Sequence, residues 1–599
     1  METIKKLIKQ YFSGFAFFYS TLRHRLFIAF LISFTFGLLD GLGLAMFLPL
    51  LKLAGGDNEL TPSEAGDYGH FISWFNEIGI FFTIETILFL LVFFFFLKGV
   101  FKFFAHFYFV KVQQFFVAQL RLNLSKALKD FSYKKFISLD VGRIQNTLTG
   151  EIGRVSTAVQ SYYKSFEQMI LVLVYAGFAI SIDFRFASMA LAGGALSNLA
   201  YRSIFSRTKS ASYEVSTQGN LFQNRIIQFI NNFKYLKASG SSELFYKQIK
   251  ESVFFLERLQ VHIGKLRATL FASKEPLIIA VMAVVIILQI RVFEASLAPI
   301  LISLLFFYRA LGAFMMVQNQ WNTYLGVSGS LRNTTELLTD LKKGQEKLKE
   351  GKVPEHIPFI KLDNVSFSFK AKDWILQNLN LTINQNETIA IVGESGSGKS
   401  TLINIICGLL KPSQGKVLLE SKDLGQTNLK DFQRRIGYIT QEPVIFNDTV
   451  FNNITLWQDP TPENMARFRA ALQEASIEEF VNSLPAKEKH LLENSGANLS
   501  GGQKQRISIA RELYKKVQLL VLDEATSALD SQTERIIQEN IDSLKGRYTV
   551  VIVAHRLSTV KNANRIVVLN KGLIEDVGTF EELMRRTPRF RKMVELQEL

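Results

Sequence analysis

The stretch GESGSGKST, Gly393 to Thr401, has the spacing of a loop that grips phosphates. Gly393, Gly398, Lys399 and Ser400 hold the fixed places of G-x-x-x-x-G-K-[ST]. In such a loop, backbone N–H groups at a helix N-terminus cradle phosphate oxygens, the lysine reaches the β/γ-phosphates and the serine hydroxyl ligates Mg²⁺. Gly393, Glu394, Ser395, Gly396, Ser397, Gly398, Lys399, Ser400 and Thr401 are therefore candidate nucleotide-binding residues. ETIAIV before the loop reads as a buried strand and TLINIICGLL after it as a helix, the context this motif requires.

Two further stretches supply what phosphate chemistry needs. LLVLDE is an apolar strand ending in Asp523 and Glu524. A carboxylate at a strand end can hold Mg²⁺, which assigns Asp523 to the metal beside Ser400. The next carboxylate, Glu524, can orient or activate an attacking water. LSGGQKQR offers a hydroxyl and glycine N–H groups at a helix start, an anion site made of Leu499, Ser500, Gly501, Gly502 and Gln503.

With LSGGQ beside the phosphate loop, the chain resembles ATP-binding-cassette transporters of the exporter type, half-transporters with membrane domain and ATPase in one polypeptide. The resemblance covers almost the whole length and implies ATP and Mg²⁺ as ligands. It implies that LSGGQ meets ATP bound to the opposite subunit, so the working unit is a dimer. An intact signature with Glu524 and His555 suits a homodimer; a heterodimer is left open. It assigns Gln441 in YITQEP to contact with Mg²⁺ and to sensing of the membrane domain, Asp530 in SALD to the joint between the two sites, and His555 in VIVAHR to the γ-phosphate. Phe369 in VSFSF stands where the family stacks an aromatic ring on adenine, and a strand core position is the other reading of it. One departure is LENSGAN, with Glu493 and Asn494 where the family usually has a Gly-Glu pair facing the coupling turns.

The elements that must position these residues fall into two halves of the 599-residue chain. After the polar linker LKKGQEKLKEGKVPEHIP, strand and helix patterns alternate through IKLDNVSFSF, KVLLE, IGYIT, TVVIVAH and NRIVVLN, which reads as an α/β ATPase domain with a largely parallel core. Before the linker, apolar runs are long enough to cross a bilayer. Six are expected, at about Leu26–Leu48, Thr83–Phe109, Phe166–Ile182, Phe186–Ile204, Pro276–Phe293 and Leu297–Val317. The expected fold class is thus membrane α followed by α/β, with domains at 1–335 and 357–599 and the linker at 336–356. No internal repeat is evident. The N-terminal 25 residues, basic and amphipathic, read as an interfacial helix.

Charge supports this division. Residues 1–350 carry 37 Lys+Arg against 23 Asp+Glu, a net +14 out of the chain's +16. Interleaving with apolar spans assigns that excess to membrane-flanking loops rather than to nucleic acid, which is excluded as a partner. Lys52 to Lys98 contains no Lys or Arg between its ends, so that loop is expected outside; Lys98–Lys164 and Arg207–Lys274 are basic and expected inside. Termini and ATPase domain are then cytoplasmic, in the inner membrane of a bacterium. Spans two to five are expected to continue as long helices that turn at LDVGRIQNTLTG and NNFKYLKASGSSE. The single cysteine, Cys407, reads as a small buried side chain.

Charges at membrane depth are candidates for cargo contact: Asp40, Lys98, Arg309 and, at the inner edge, Lys274 beside Glu275. Pairing or snorkelling is the other reading, and for Asp40 a helix–helix hydrogen bond. Basic groups facing a cavity would suit an anionic lipid headgroup. Short stretches, FGLLDGLGLAMFLPLL and YRALGA among them, resemble exporters that flip polyprenyl-diphosphate-linked oligosaccharides. A drug or peptide exporter, and a channel that ATP only gates, are the alternatives.

Overall fold

The computed structural model describes residues 15–53, 83–182, 184–291, 297–346, 349–370, 373–493, 496–523, 535, 538–539, 542–554 and 560–598. The chain divides into two compact units, Met1–Phe131 with Ser138–Gln345, and Ser132–Ile137 with Glu346–Leu599. The short segment 132–137 thus groups with the second unit although the first unit surrounds it in sequence.

The first unit is helical: α1 (His24–Ala45), α2 (Phe47–Leu53), α3 (Ile84–Lys129), α5 (Val141–Asn146), α6 (Ile152–Ile182), α7 (Phe184–Asn231), α8 (Phe233–Ala238), α9 (Ser242–Ala272), α10 (Lys274–Arg291), α11 (Leu297–Gly326) and α12 (Ser328–Lys343); α4 (Tyr133–Phe136) lies in the second unit. Helix α3 shows how sequence sets an element. The Thr83 side chain accepts from Thr86 N, Glu85 lies in the first turn, and Lys126 and Lys129 close the last, all favourable to the helix dipole. Its 46 residues run for about 69 Å at ~1.5 Å per residue, more than twice the bilayer core.

Four stretches of the described residues are long and apolar enough to cross a membrane: His24–Ala45, Ile84–Lys129, Val141–Ser181 and Ser242–Leu288. They contain most of the first, second, third and fifth expected spans. The fourth and sixth fall on α7 and α11, outside those four.

The first expected turn is shorter than the stretch LDVGRIQNTLTG: Leu139 and Asp140 are non-helical, and helix starts at Val141, because Asp140 caps α5 by accepting from Arg143 N at 3.0 Å. A π-helical turn, Thr147–Glu151, then carries α5 directly into α6. At the second expected turn, α7 ends at Asn231, α8 follows, and Gly240 in the left-handed region at φ 66° releases the chain into α9.

The second unit holds two main sheets. Strands β1 (Phe359–Ser368), β2 (Trp374–Asn384), β4 (Gln414–Leu419) and β5 (Lys422–Asp423) form an antiparallel sheet in the order β2-β1-β4-β5. The other sheet has the order β12-β11-β3-β10-β9-β6, built from β3 (Thr388–Val392), β6 (Ile436–Ile439), β9 (Leu519–Asp523), β10 (Thr549–Val553), β11 (Arg565–Asn570) and β12 (Leu573–Gly578). All its neighbours are parallel except β11 and β12. Along β9, Leu519 and Val521 enter one core while Leu520 and Leu522 enter the other. Burial on both faces is why this strand reads as an unbroken apolar run.

Candidate nucleotide site and a membrane charge cluster

The phosphate loop leaves β3, whose five residues are all buried, and enters α13 (Lys399–Ile406). Gly398 caps that helix at φ 104°, and a Cβ there would come within 2.6 Å of Leu376 Cδ2. Only glycine fits the turn without strain. The first amides of a helix have no intrahelical acceptor, so those of Ser400 and Thr401 are placed to meet phosphate oxygens. Lys399 is buried, and its ammonium donates to Gly393 O at 2.7 Å and Glu394 O at 3.1 Å. Ser397 Oγ is buried with no hydrogen-bond partner among the described residues, while Ser400 is exposed. A buried lysine, an orphaned hydroxyl and an open serine are donors suited to a polyphosphate. Glu394 points the other way, paired with Arg589 at 2.7 Å, and Arg589 also reaches Glu575 at 3.1 Å.

Register brings the remaining groups to the same end of the sheet. Val553 lies level with both Ile391 and Asp523, and Ile439 lies level with Leu522. The carboxyl ends of β3, β10, β9 and β6 therefore deliver the phosphate loop, the segment before His555, Asp523 and the segment before Gln441 to one edge. Ligands of open α/β sheets bind at that edge. Asp523 Oδ2 accepts from Tyr438 Oη at 2.9 Å. Burial, and then the Asp523 charge, push the Tyr438 hydroxyl well above its ordinary range, so it keeps its proton and stays a donor. Burial, with Asp523 again adding, pushes the Cys407 thiol up to about 12, which leaves it an inert buried group. Ser400, Asp523 and the exposed Gln441 are the oxygen donors that would hold Mg²⁺, a set that suits a hard cation. Glu524, Asp530 and His555 lie outside the described residues, as does Asn494; Glu493 is exposed.

The signature stretch starts α18 (Gly501–Tyr514). Ser500 is its N-cap: Ser500 Oγ accepts from Gln503 N at 3.2 Å, and Gln503 Oε1 accepts from Ser500 N at 2.9 Å. This capping box consumes acceptor capacity only, so the exposed Ser500 hydroxyl still has its proton to donate to an anion. Gly501 beside it is exposed, Leu499 and Gln503 are half-buried, and Gly502 is buried. Phe369 is 44% exposed, its ring edge-on to Phe367 at 5.0 Å, which leaves a face open for stacking. Lys134 of α4 lies 4.9 Å from the Phe367 ring and donates to Ser368 O at 3.3 Å, so α4 supports the strand end that presents Phe369.

In the first unit, Asp40 of α1 is buried where three helices meet. Lys98 of α3 donates to its Oδ1 at 2.5 Å, and Tyr175 of α6 donates to its Oδ2. Small neighbours permit the approach: a Cβ on Gly41 would come within 2.4 Å of Phe178 and one on Gly43 within 2.9 Å of Phe95. Arg309 of α11 is exposed and has no ion pair among the described residues; Lys274 is half-buried.

The ABC transporter family profile matches residues 376–527. The chain is 30% identical to the ATP-dependent lipid A-core flippase of Syntrophus aciditrophicus (strain SB) over 507 residues, 81% of each chain. It is 28% identical to the heterocyst differentiation ATP-binding protein HepA of Nostoc sp. over 511 residues, covering 84% of this chain and 82% of the relative. A bacterial Atm1-family ABC exporter solved with ATP bound shares the fold, with a TM-score of 0.78 at 21% identity over 97% of this chain and 99% of that one. The chain belongs to the ABC transporter family. It is an ATP-hydrolysing membrane exporter, a helical membrane unit followed by an α/β ATPase unit.

Tyr438, Tyr175 and Arg589 did not emerge from the sequence. Tyr438 of β6 sits three residues before Gln441, which lies past the strand end, but only pairing of β6 with β9 shows that its hydroxyl reaches Asp523. Nothing local marks Tyr175, which is 135 positions from Asp40.

Proposed function

We propose that two copies of this chain flip an anionic amphipathic lipid, a lipid-linked saccharide by preference, from the inner to the outer leaflet of a bacterial inner membrane. The carrying observation is Arg309: an exposed guanidinium on an apolar helix, with no ion pair among the described residues. Such a charge is expensive in hydrocarbon unless water or an anion meets it. An arginine fork binds phosphate oxygens in pairs, which a neutral cargo cannot exploit. That a relative across most of the chain is named a lipid A-core flippase supports a lipid cargo.

Within the ATPase unit, Lys399, Ser397 and the first amides of α13 bind the phosphates, and the exposed face of Phe369 receives the adenine. Bound Mg²⁺ would supply charge neutralisation at the phosphates. Glu524 orients the attacking water, His555 contacts the γ-phosphate, and Ser500 with Gly501 contacts ATP held by the other copy, so each site uses both chains. ATP binding closes the pair and opens the membrane units outward; hydrolysis resets them. The termini and ATPase units face the cytoplasm in this reading.

The test is translocation of a polyprenyl-diphosphate-linked saccharide in proteoliposomes, wild type against Arg309→Ala. Slower flipping with retained ATP binding is expected. Flipping at the wild-type rate would overturn the anionic-headgroup reading and favour a neutral drug or a peptide.

A further inference from the structure

Asp40 is a carboxylate with 5% of its side chain exposed, set among α1, α3 and α6. Its two oxygens are shared between unlike donors. Lys98 brings a charge and is 20% exposed; Tyr175 brings a neutral hydroxyl and is buried. The Lys98 ammonium also lies 4.9 Å from the Phe95 ring centroid, so it has a second favourable neighbour when it moves off the carboxylate. Arg309 is within electrostatic reach of the Tyr175 hydroxyl and carries its charge unpaired among the described residues. One full cation and one half-masked cation therefore lie around a single buried anion.

We propose that Asp40 is an internal counter-anion that competes with the phosphate of the cargo for Lys98. The idea rests on the anionic-lipid reading above and adds to it how that site binds and lets go. A headgroup phosphate engages Arg309 first, because among the described residues that cation has no ion pair to give up. Lys98 then exchanges the Asp40 carboxylate for the phosphate, and Tyr175 alone holds Asp40. A buried carboxylate held by one neutral donor is a costly state. The exchange is therefore self-limiting: the cost weakens lipid binding and drives the Lys98–Asp40 bridge to re-form, which ejects the headgroup. Asp40 trades affinity for release, a balance a transporter needs and a storage site does not.

Two substitutions should then act in opposite directions. Asp40→Asn removes the competitor and frees Lys98. Tyr175→Phe removes the donor that stabilises Asp40 when Lys98 leaves, and so tightens the bridge. The full chain in nanodiscs of zwitterionic lipid is titrated with a polyprenyl diphosphate and, separately, with the neutral polyprenol of equal length, reading stimulation of ATP hydrolysis. For the diphosphate, Asp40→Asn should lower the half-saturating concentration about tenfold, the change expected for unmasking one charged contact. Its flipping in proteoliposomes should slow at the same time. Tyr175→Phe should raise the half-saturating concentration about threefold, the size of one modest hydrogen bond. In a Lys98→Gln background, Asp40→Asn should change nothing further.

If both single variants weaken the diphosphate response, or Asp40→Asn still acts without Lys98, Asp40 is a structural strut and the proposal is wrong. Where Asp40→Asn fails to fold, the upward shift in Tyr175→Phe carries the test, and an unchanged or lowered value there overturns it. If wild type responds equally to diphosphate and polyprenol, the anionic-lipid reading falls first, and this proposal falls with it.

Discussion

Lys399 and Lys98 are both lysines held away from water, and their partners differ in kind. Lys399 donates to two main-chain carbonyls of its own loop, five and six residues away. Lys98 donates to a carboxylate 58 residues away on another helix. These two carbonyls belong to the phosphate loop itself and hold the ammonium within it, where a bound phosphate would lie. A carboxylate satisfies geometry and cancels the charge, so the membrane cluster binds an anion only by exchange. The first arrangement suits tight, repeated capture of a nucleotide; the second suits transient contact with a cargo.

The nucleotide side is broken most severely at Glu524. Glu524→Gln should leave ATP binding intact, since the phosphate loop is untouched, while steady-state hydrolysis falls by about 10²–10⁴, the usual worth of a general base. Near-normal turnover of the purified variant would remove Glu524 from its role. The shared-site arrangement is sharpened by mixing Lys399→Ala chains with Ser500→Arg chains and isolating the mixed dimer. One site should then carry both lesions and the other neither, so one ATP should bind per dimer. Loss of binding at both sites would show that each chain builds its own.

Tyr438→Phe is a smaller perturbation of the same edge. The Tyr438 hydroxyl holds one oxygen of Asp523, leaving the other for metal. Its removal should raise the Mg²⁺ concentration that half-supports ATP binding by about tenfold, the size of one hydrogen bond to a charged group. ATP binding in EDTA should be unchanged. Equal weakening with and without Mg²⁺ would mean that Tyr438 only props the strand.

The smallest effect concerns pH. Burial tends to raise the Glu387 carboxyl, but hydrogen bonds from Arg565 and from Asn384 outweigh it and hold the group below its ordinary value. A depressed folded-state value means the contribution is present above the ordinary carboxylate range and is lost as pH falls through the folded value. Glu387→Gln should therefore lower the thermal midpoint at pH 7, with the gap to wild type closing in acid. A gap that is the same at pH 7 and in acid would contradict that linkage.

Lys399 and Lys98 also differ in how far sequence reveals them. Gly393, Gly398, Lys399 and Ser400 act together within one short loop, so their spacing carries the function. The same holds for Ser500 and Gln503, whose capping box closes within one turn. Strand β9 was legible because burial on both faces imposes an apolar run. Asp40, Lys98 and Arg309 were legible as charges out of place, but their pairing depends on how α1, α3 and α6 pack, and no short-range pattern encodes that. The extent of the turn before α5 is hidden for a related reason: VGRIQN carries a glycine and two amides, yet Asp140 caps it into a helix.

The most direct measurement follows a fluorescent polyprenyl-diphosphate-linked lipid in proteoliposomes with outward-facing ATPase units, with ATP supplied outside and the dye quenched on that side. ATP should drive the lipid into the protected leaflet beyond its equilibrium share, Glu524→Gln should stop the drive, and the neutral polyprenol analogue should not be concentrated. ATP-independent equilibration, or equal concentration of the neutral analogue, would contradict ATP-driven flipping of an anionic lipid.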